Sequence, residues 1–300
     1  MRVLVTGASG FLGGFTCREL LARGHAVTAL VRRPGSAPEG CGEVHGDLAG
    51  EQATLTAAVG TARPDCVLHL AAEIATQRDA ARIAAVNVAG TRRLLEACGA
   101  AGSPKVVFAS TVVTGDAHGA LLDEDAVLPV ETAYGRSKQD GERLLRASGL
   151  PGVVVRPSHV YGPGGWFADE LVHRLRHPGR FAVVGRGRNW WDVVHVADVA
   201  RALCDAAESA PGGSRYHVAD DEPIRLADFV ATTATALGIG PPRHVPVWLA
   251  RLAAGREPVA AVTRSARSSN ARVKRELGWS PQYPTAAEGV PAAVGALPPA

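Results

Sequence analysis

Short runs rich in β-branched residues recur through the first half of the chain: RVLVT, HAVTAL, CGEVHG, CVLHLAA, KVVFAS and GVVVRP. Helical patterns fill most of the gaps between them, notably over 12–23, 79–98 and 132–147. Strands apolar on both faces need cover on both faces, and parallel neighbours need a crossover between them. The alternation therefore predicts an α/β fold, a doubly wound parallel sheet with helices on either side.

The first strand runs straight into a glycine turn. VLVTGASGFLGG spaces Gly7, Gly10 and Gly13 by three residues, where a helix with apolar positions Leu12, Phe15, Leu20 and Leu21 begins. Glycines there let the backbone approach a pyrophosphate, while the helix N-terminus supplies N–H donors and a positive partial charge. A chain with 34 glycines also makes tight turns without ligands, so it is the position after the first strand that points to a dinucleotide. Thr6 and Ser9 stand in the same loop.

The end of the second strand bears on which dinucleotide is held. An acidic residue there would bind a ribose 2′-hydroxyl, but TALVRRPG places Arg32 and Arg33, whose guanidinium groups can pair a 2′-phosphate. NADP is expected ahead of NAD; the alternative is an ordinary loop in an arginine-rich chain. Asp47, in HGDL after the third strand, is read either as an acceptor for the adenine amino group or as a helix N-cap.

Beyond Pro157 the regularity breaks, with glycine and proline crowding RPSHVYGPGGW and GPPRHVPVW. We expect a dinucleotide-binding domain over 1–156 and a smaller, irregular substrate-side domain over 157–300. Within the latter, about 191–217 returns to the Rossmann-type sheet, and the closing VPAAVGALPPA reads as a frayed tail. The net charge of +3 comes from arginines scattered among acids and apolar runs, which argues against a nucleic-acid partner. Five widely spaced cysteines without a C-x-x-C argue against a disulfide framework and against a zinc site, so no metal is expected. MRVLVTG reads as a buried strand and not as a signal peptide, and no apolar run reaches the roughly 18 residues that span a bilayer. The expectation is a soluble, cytoplasmic protein with no membrane partner.

TAYGRSK opens a helical stretch in which Tyr134 and Lys138, at i and i+4, share one face. A tyrosine exchanges protons near neutrality only if its pKa falls, and a neighbouring ammonium favours the phenolate. Lysine is rare here, three against 29 arginines, and its compact charge can sit beneath a phenol while holding a ribose hydroxyl. A solvated helix face would show the same Y-x-x-x-K spacing. VVFASTVVTG, however, ends a strand with Ser110, Thr111 and Thr114 at the sheet edge where doubly wound folds bind ligands, and a hydroxyl there can polarise a substrate oxygen.

TGASGFLG, GDL, HLAA, NVAGT, FAST, YGRSK, RPSHVYGPG, VVHVADVA and RELGW follow one another over about residues 2–290. As a set they resemble the extended short-chain dehydrogenase/reductases, the NAD-dependent epimerase/dehydratase group. The resemblance implies cofactor positions at Gly7, Gly10, Gly13, Asp47 and Ala71. It also implies Ser110 as the catalytic hydroxyl (Thr111 as a second candidate), Tyr134 as acid/base and Lys138 as its partner. Two departures stand out. Trp191, in WDVVHV, occupies a place where members acting on sugar nucleotides commonly have arginine, and Thr114 replaces a tyrosine in V-Y-G.

These features favour an NADP-preferring oxidoreductase that interconverts a secondary alcohol and a carbonyl on a small organic substrate. The alternative is a nucleotide-sugar epimerase or dehydratase using bound NAD. A non-catalytic dinucleotide sensor would not need Ser110, Tyr134 and Lys138 together. Trp191 tilts the substrate toward an uncharged or aromatic-faced one, with Arg188, Arg256, Arg264 or Arg267 as other sources of positive charge. The helical stretches 79–98 and 132–147 carry apolar residues beyond one core stripe, and related proteins often dimerise through that pair, so a homodimer is expected.

Overall fold

The computed structural model describes residues 1–74, 77, 79–177 and 181–298. Among these, seven strands form the main sheet: β1 (Arg2–Thr6), β2 (Ala26–Val31), β3 (Gly42–His45), β4 (Cys66–His69), β5 (Lys105–Ala109), β6 (Gly152–Pro157) and β7 (Arg215–Val218). Their order is β7-β6-β5-β4-β1-β2-β3, and every pairing is parallel. The order reverses between β1 and β4, so the crevice for a ligand lies at the carboxyl ends of those two strands.

The helices that pack on this sheet are α1 (Phe11–Ala22), α2 (Gln52–Ala62), α3 (Thr91–Ala100), α4 (Ala133–Ala147) and α5 (Val196–Ser209). Successive strand residues point to opposite faces. Val3, Val5, Val107 and Val155 accordingly meet Cys17 and Leu20 of α1 and Val199 and Leu203 of α5. Leu4, Val67, Val106 and Phe108 meet Leu55 of α2, Leu94 of α3 and Leu145 of α4. Each fully buried Val, Leu or Phe contributes about 1.5–3 kcal/mol, and this two-sided burial is what the uninterrupted apolar strands encode.

Local signals set the helix ends. Gly24 takes the left-handed conformation at φ 78° and closes α1, with the His25 N–H reaching back to the Leu20 carbonyl. Thr132 caps α4 by accepting the Gly135 N–H at 2.9 Å. That cap fixes where the helix bearing Tyr134 and Lys138 begins.

A third buried cluster forms a smaller lobe around Tyr161, Phe167, Trp191, Phe229 and Val290. Val193–His195 pairs with His159–Tyr161 beside this lobe, while β7 joins the main sheet next to β6. The closing segment is not the frayed tail expected. Ala286–Gly295 is a helix, α7, whose Val290 and Ala293 are fully buried in this cluster, so a run of small apolar residues docks where it was read as loose. Residues 299 and 300 of that segment lie outside the described ones. The large apolar side chains of α3 and α4 face the protein's own core, and among the described residues neither helix carries a large exposed one. Among the described residues no helix is long and apolar enough to cross a membrane.

Candidate active site

The glycine loop sits at the crevice, and its spacing has a steric cause. Gly7 has φ 72°, and a Cβ on it would stand 2.7 Å from the Ala71 nitrogen, so only glycine lets β1 turn against the end of β4. A Cβ on Gly13 would strike the Gly7 carbonyl oxygen, so the third glycine lets α1 press onto the turn. Gly10 precedes α1 in extended conformation and donates to the Gly7 carbonyl at 3.0 Å. The cradle fits a pyrophosphate: bare backbone, then a helix N-terminus.

A buried relay locks this loop. Thr91 Oγ1 gives its proton to the Asn87 carbonyl at 2.7 Å, so it accepts from His69 Nε2 at 2.9 Å. His69 Nδ1 then accepts from Thr6 Oγ1 at 2.7 Å, and Thr6 accepts the Ala71 N–H at 3.2 Å. Burial, with Lys138 adding to it, pushes His69 down to about 3, which keeps the ring neutral as the relay requires.

Around this cradle, Arg32 and Arg33 are exposed at the end of β2. Asp47 is exposed after β3 and accepts the Ala49 N–H at 2.9 Å. It is not a helix N-cap, because α2 begins at Gln52 behind Glu51.

Tyr134 and Lys138 project from the first turns of α4. Lys138 Nζ lies 5.9 Å from the Tyr134 ring centroid and donates to the Ala109 carbonyl at 2.7 Å. Burial pushes Lys138 down to about 8, with the Glu142 carboxylate opposing the shift. Burial pushes Tyr134 up to about 12, and the charge that opposes this is Arg264. The charge that favours the phenolate is therefore Arg264 and not the Lys138 ammonium expected from the Y-x-x-x-K spacing.

Ser110 donates its hydroxyl proton to Glu142 Oε1 at 2.5 Å. Thr111 donates to the Pro157 carbonyl at 3.2 Å and accepts the Val113 N–H. Thr114, in the place of the missing tyrosine, is fully buried, donates to the Pro129 carbonyl and packs against Gly135. It anchors the start of α4.

Two features were not singled out from the sequence. The stretch before α3 is a π-helical turn, Ala84–Gly90, a distortion frequent at functional sites. It aims Asn87 at Ser137 Oγ, 3.0 Å away, and Ser137 in turn donates to the Tyr134 carbonyl. Glu142 and Arg156 form a buried ion pair at 2.6 Å. Of the arginines expected to supply positive charge near Trp191, Arg264 is the one that reaches His159, 105 residues away in the chain.

Trp191 is not an open wall of the cleft. It is 8% exposed and stacks on His159 with ring centroids 3.8 Å apart. His159 Nδ1 donates to the Asp192 carbonyl at 2.7 Å, so its Nε2 is free to accept from the Arg264 guanidinium. The positive charge that the tryptophan lacks is restored beside it.

With this geometry in view, the family comparison is decisive: the NAD dependent epimerase/dehydratase family matches residues 3–219. The chain belongs to this family. A 3-diazoavenalumate denitrifying reductase from a Streptomyces species is 36% identical over 97% of this chain and 99% of its own length. A 2-alkyl-3-oxoalkanoate reductase of Stenotrophomonas maltophilia is 33% identical over 79% of this chain and 76% of its own. The UDP-glucose 4-epimerase of Thermus thermophilus, solved with NAD, superposes with a TM-score of 0.82 at 28% identity, covering 98% of both chains. As a member of the NAD dependent epimerase/dehydratase family the protein is an enzyme, and its relatives are reductases and epimerases.

Proposed function

We propose that this enzyme is an NADP-preferring oxidoreductase that interconverts a secondary alcohol and a carbonyl on a small organic substrate. The observation that carries the reading is Tyr134 with the Lys138 ammonium 5.9 Å from its ring, in a chain whose first strand ends in a glycine turn that only bare backbone can fill. A bound nicotinamide supplies or accepts the hydride. Tyr134 exchanges the proton with the substrate oxygen, and Lys138 holds the ribose side with an ammonium. Ser110 donates to Glu142 in this structure and polarises a substrate carbonyl by turning that hydroxyl proton into the cleft. Gly7, Gly10, Gly13 and Ala71 receive the dinucleotide, with Asp47 toward the adenine and the exposed Arg32 and Arg33 toward a 2′-phosphate.

The full-length similarity to a protein named as a reductase supports this reading. A nucleotide-sugar epimerase with bound NAD is the second reading, supported by the superposition on UDP-glucose 4-epimerase. We read 1–156 as the cofactor side and 157–300 as the substrate side, with β7 and α5 returned to the sheet. We read the protein as a cytoplasmic homodimer, the compartment from its widely spaced cysteines and the dimer from the habit of related proteins; light scattering at micromolar concentration tests the dimer by giving twice the chain's 31.1 kDa.

Gel filtration separates the two enzymatic readings. Protein that elutes without cofactor and then takes up added NADPH supports the oxidoreductase; NAD carried through the column supports the epimerase.

A further inference from the structure

The helix Val247–Ala254 lies uncovered on the surface. It reads VWLARLAA, so seven of its eight residues are apolar, yet none of them is buried. A helix that is apolar on all sides is normally enclosed, by a protein core or by a membrane. Trp248 is 68% exposed, Leu249 42% and Leu252 82%, and Trp248 and Leu252, four residues apart, share one face. The other large exposed apolar residues among those described, Met1, Ile74, Leu121 and Val127, are scattered over the first half of the chain, and none lies in a helix. Single exposed residues of that kind are ordinary, whereas three on one short helix mark a contact surface.

The charges around this helix bear on what covers it. Arg243–Val245 pairs with Ala182–Val184, and a Cβ on Gly185 would stand 3.1 Å from Val247, so Arg186 is brought to the start of the helix. Arg186, Arg243 and Arg251 are exposed. Among the described residues no carboxylate oxygen lies within 4 Å of any of the three, although the exposed Arg2, Arg143 and Arg275 each have such a partner. Between Asp228 and Glu257 the chain carries Arg243, Arg251 and Arg256 and no acid. An apolar face set among unpaired guanidinium groups is complementary to a surface that is anionic above and apolar beneath, as a bilayer of acidic phospholipids is. A second copy of the chain is a poorer match, because it would bring the same arginines against these.

We propose that the helix Val247–Ala254 docks on an anionic phospholipid surface and lies in its plane. Eight residues reach about 12 Å at 1.5 Å each, far short of a hydrocarbon core of about 30 Å, so the helix rests in the interface and does not cross it. Trp248 takes the headgroup level, where its ring is apolar and its N–H stays wet, and Leu249 and Leu252 enter the acyl boundary. Arg186, Arg243 and Arg251 meet the lipid phosphates. This replaces the expectation of no membrane partner, which rests on the lack of a long apolar run; a helix lying on the surface needs none. The proposal stands apart from the oxidoreductase reading and does not depend on it.

Co-sedimentation of the full chain with phospholipid vesicles tests the proposal. Vesicles of phosphatidylcholine with about a third phosphatidylglycerol are expected to bind the protein at least about tenfold more strongly than pure phosphatidylcholine, and the difference shrinks as salt is raised. Trp248→Ser combined with Leu252→Ser lowers this binding at least about tenfold, and Arg243→Gln combined with Arg251→Gln removes the preference for the acidic lipid. Both variants are expected to melt with the wild type, since neither changes a buried side chain. Wild-type protein that ignores acidic vesicles, or binds the two kinds of vesicle equally, overturns the proposal without any variant; so does a serine variant that still binds. Light scattering keeps a second copy apart: a dimeric wild type whose serine variant is monomeric assigns the helix to a subunit interface and overturns the lipid surface.

Discussion

Ser110 donates to Glu142 at 2.5 Å, and Arg156 clamps the same carboxylate through two hydrogen bonds at 2.7 and 2.6 Å. The serine expected to polarise a substrate oxygen therefore has its proton directed into the layer between α4 and the sheet. Glu142 stands four residues after Lys138 on α4, so one carboxylate addresses both groups. Glu142→Gln leaves Arg156 as an uncompensated buried charge and is expected to cost about 3–5 kcal/mol, a fall in Tm of roughly 10 °C. Ser110→Ala keeps the ion pair and costs about 1–2 kcal/mol. Calorimetric melts of the two variants check this, and a Glu142→Gln protein melting as high as Ser110→Ala would contradict the role given to the pair.

Tyr134→Phe keeps the ring and removes the exchangeable proton. Turnover should drop by about 10²-fold or more while NADPH affinity stays close to that of the wild type. Steady-state rates together with a fluorescence titration measure both, and a variant retaining more than about a tenth of the activity would remove Tyr134 from the mechanism.

The reduction rate should fall as pH rises through about 8, where Lys138 loses the proton that keeps an ammonium beside Tyr134. The same shift has a stability consequence. The folded pKa lies below the ordinary 10.5, so between about 8 and 10.5 the unfolded chain binds more protons, and this group's contribution to stability improves with pH across that window. A pH profile of kcat/KM for the wild type and Lys138→Met reads the first effect. The basic limb is expected in the former and absent in the latter; a flat wild-type profile from pH 7 to about 9.5 is the adverse result.

Changing Arg32 and Arg33 together to neutral residues should weaken NADPH binding and leave NADH nearly unaffected, because only the 2′-phosphate loses charge-assisted hydrogen bonds of about 1.5–3 kcal/mol each. Titration of both cofactors decides it. Equal affinity of the wild type for the two would end the NADP assignment.

The features legible in the sequence are those that depend on neighbours along the chain. Two-sided apolar strands with helices between them dictated the doubly wound sheet, since each face had to be covered. The positions of Gly7 and Gly13 announced the cradle because a backbone approach excludes any Cβ. Tyr134 and Lys138 were legible because a helix brings i and i+4 together. What only the tertiary structure decided are the partnerships between distant segments: Ser110 with Glu142, Glu142 with Arg156, and Arg264 with His159, 105 residues apart. Periodicity carries no trace of which charge will meet which. Trp191 is legible as part of WDVVHV, yet whether it faces substrate or core depended on His159 stacking upon it. The closing helix was misread for the same reason: Val290 and Ala293 are ordinary small apolar residues until α6 (Leu226–Ala236), through Phe229 and Val230, gives them a core to enter. Local pattern fixes backbone conformation, whereas long-range packing and desolvation fix the partners and charge states on which the site's chemistry depends.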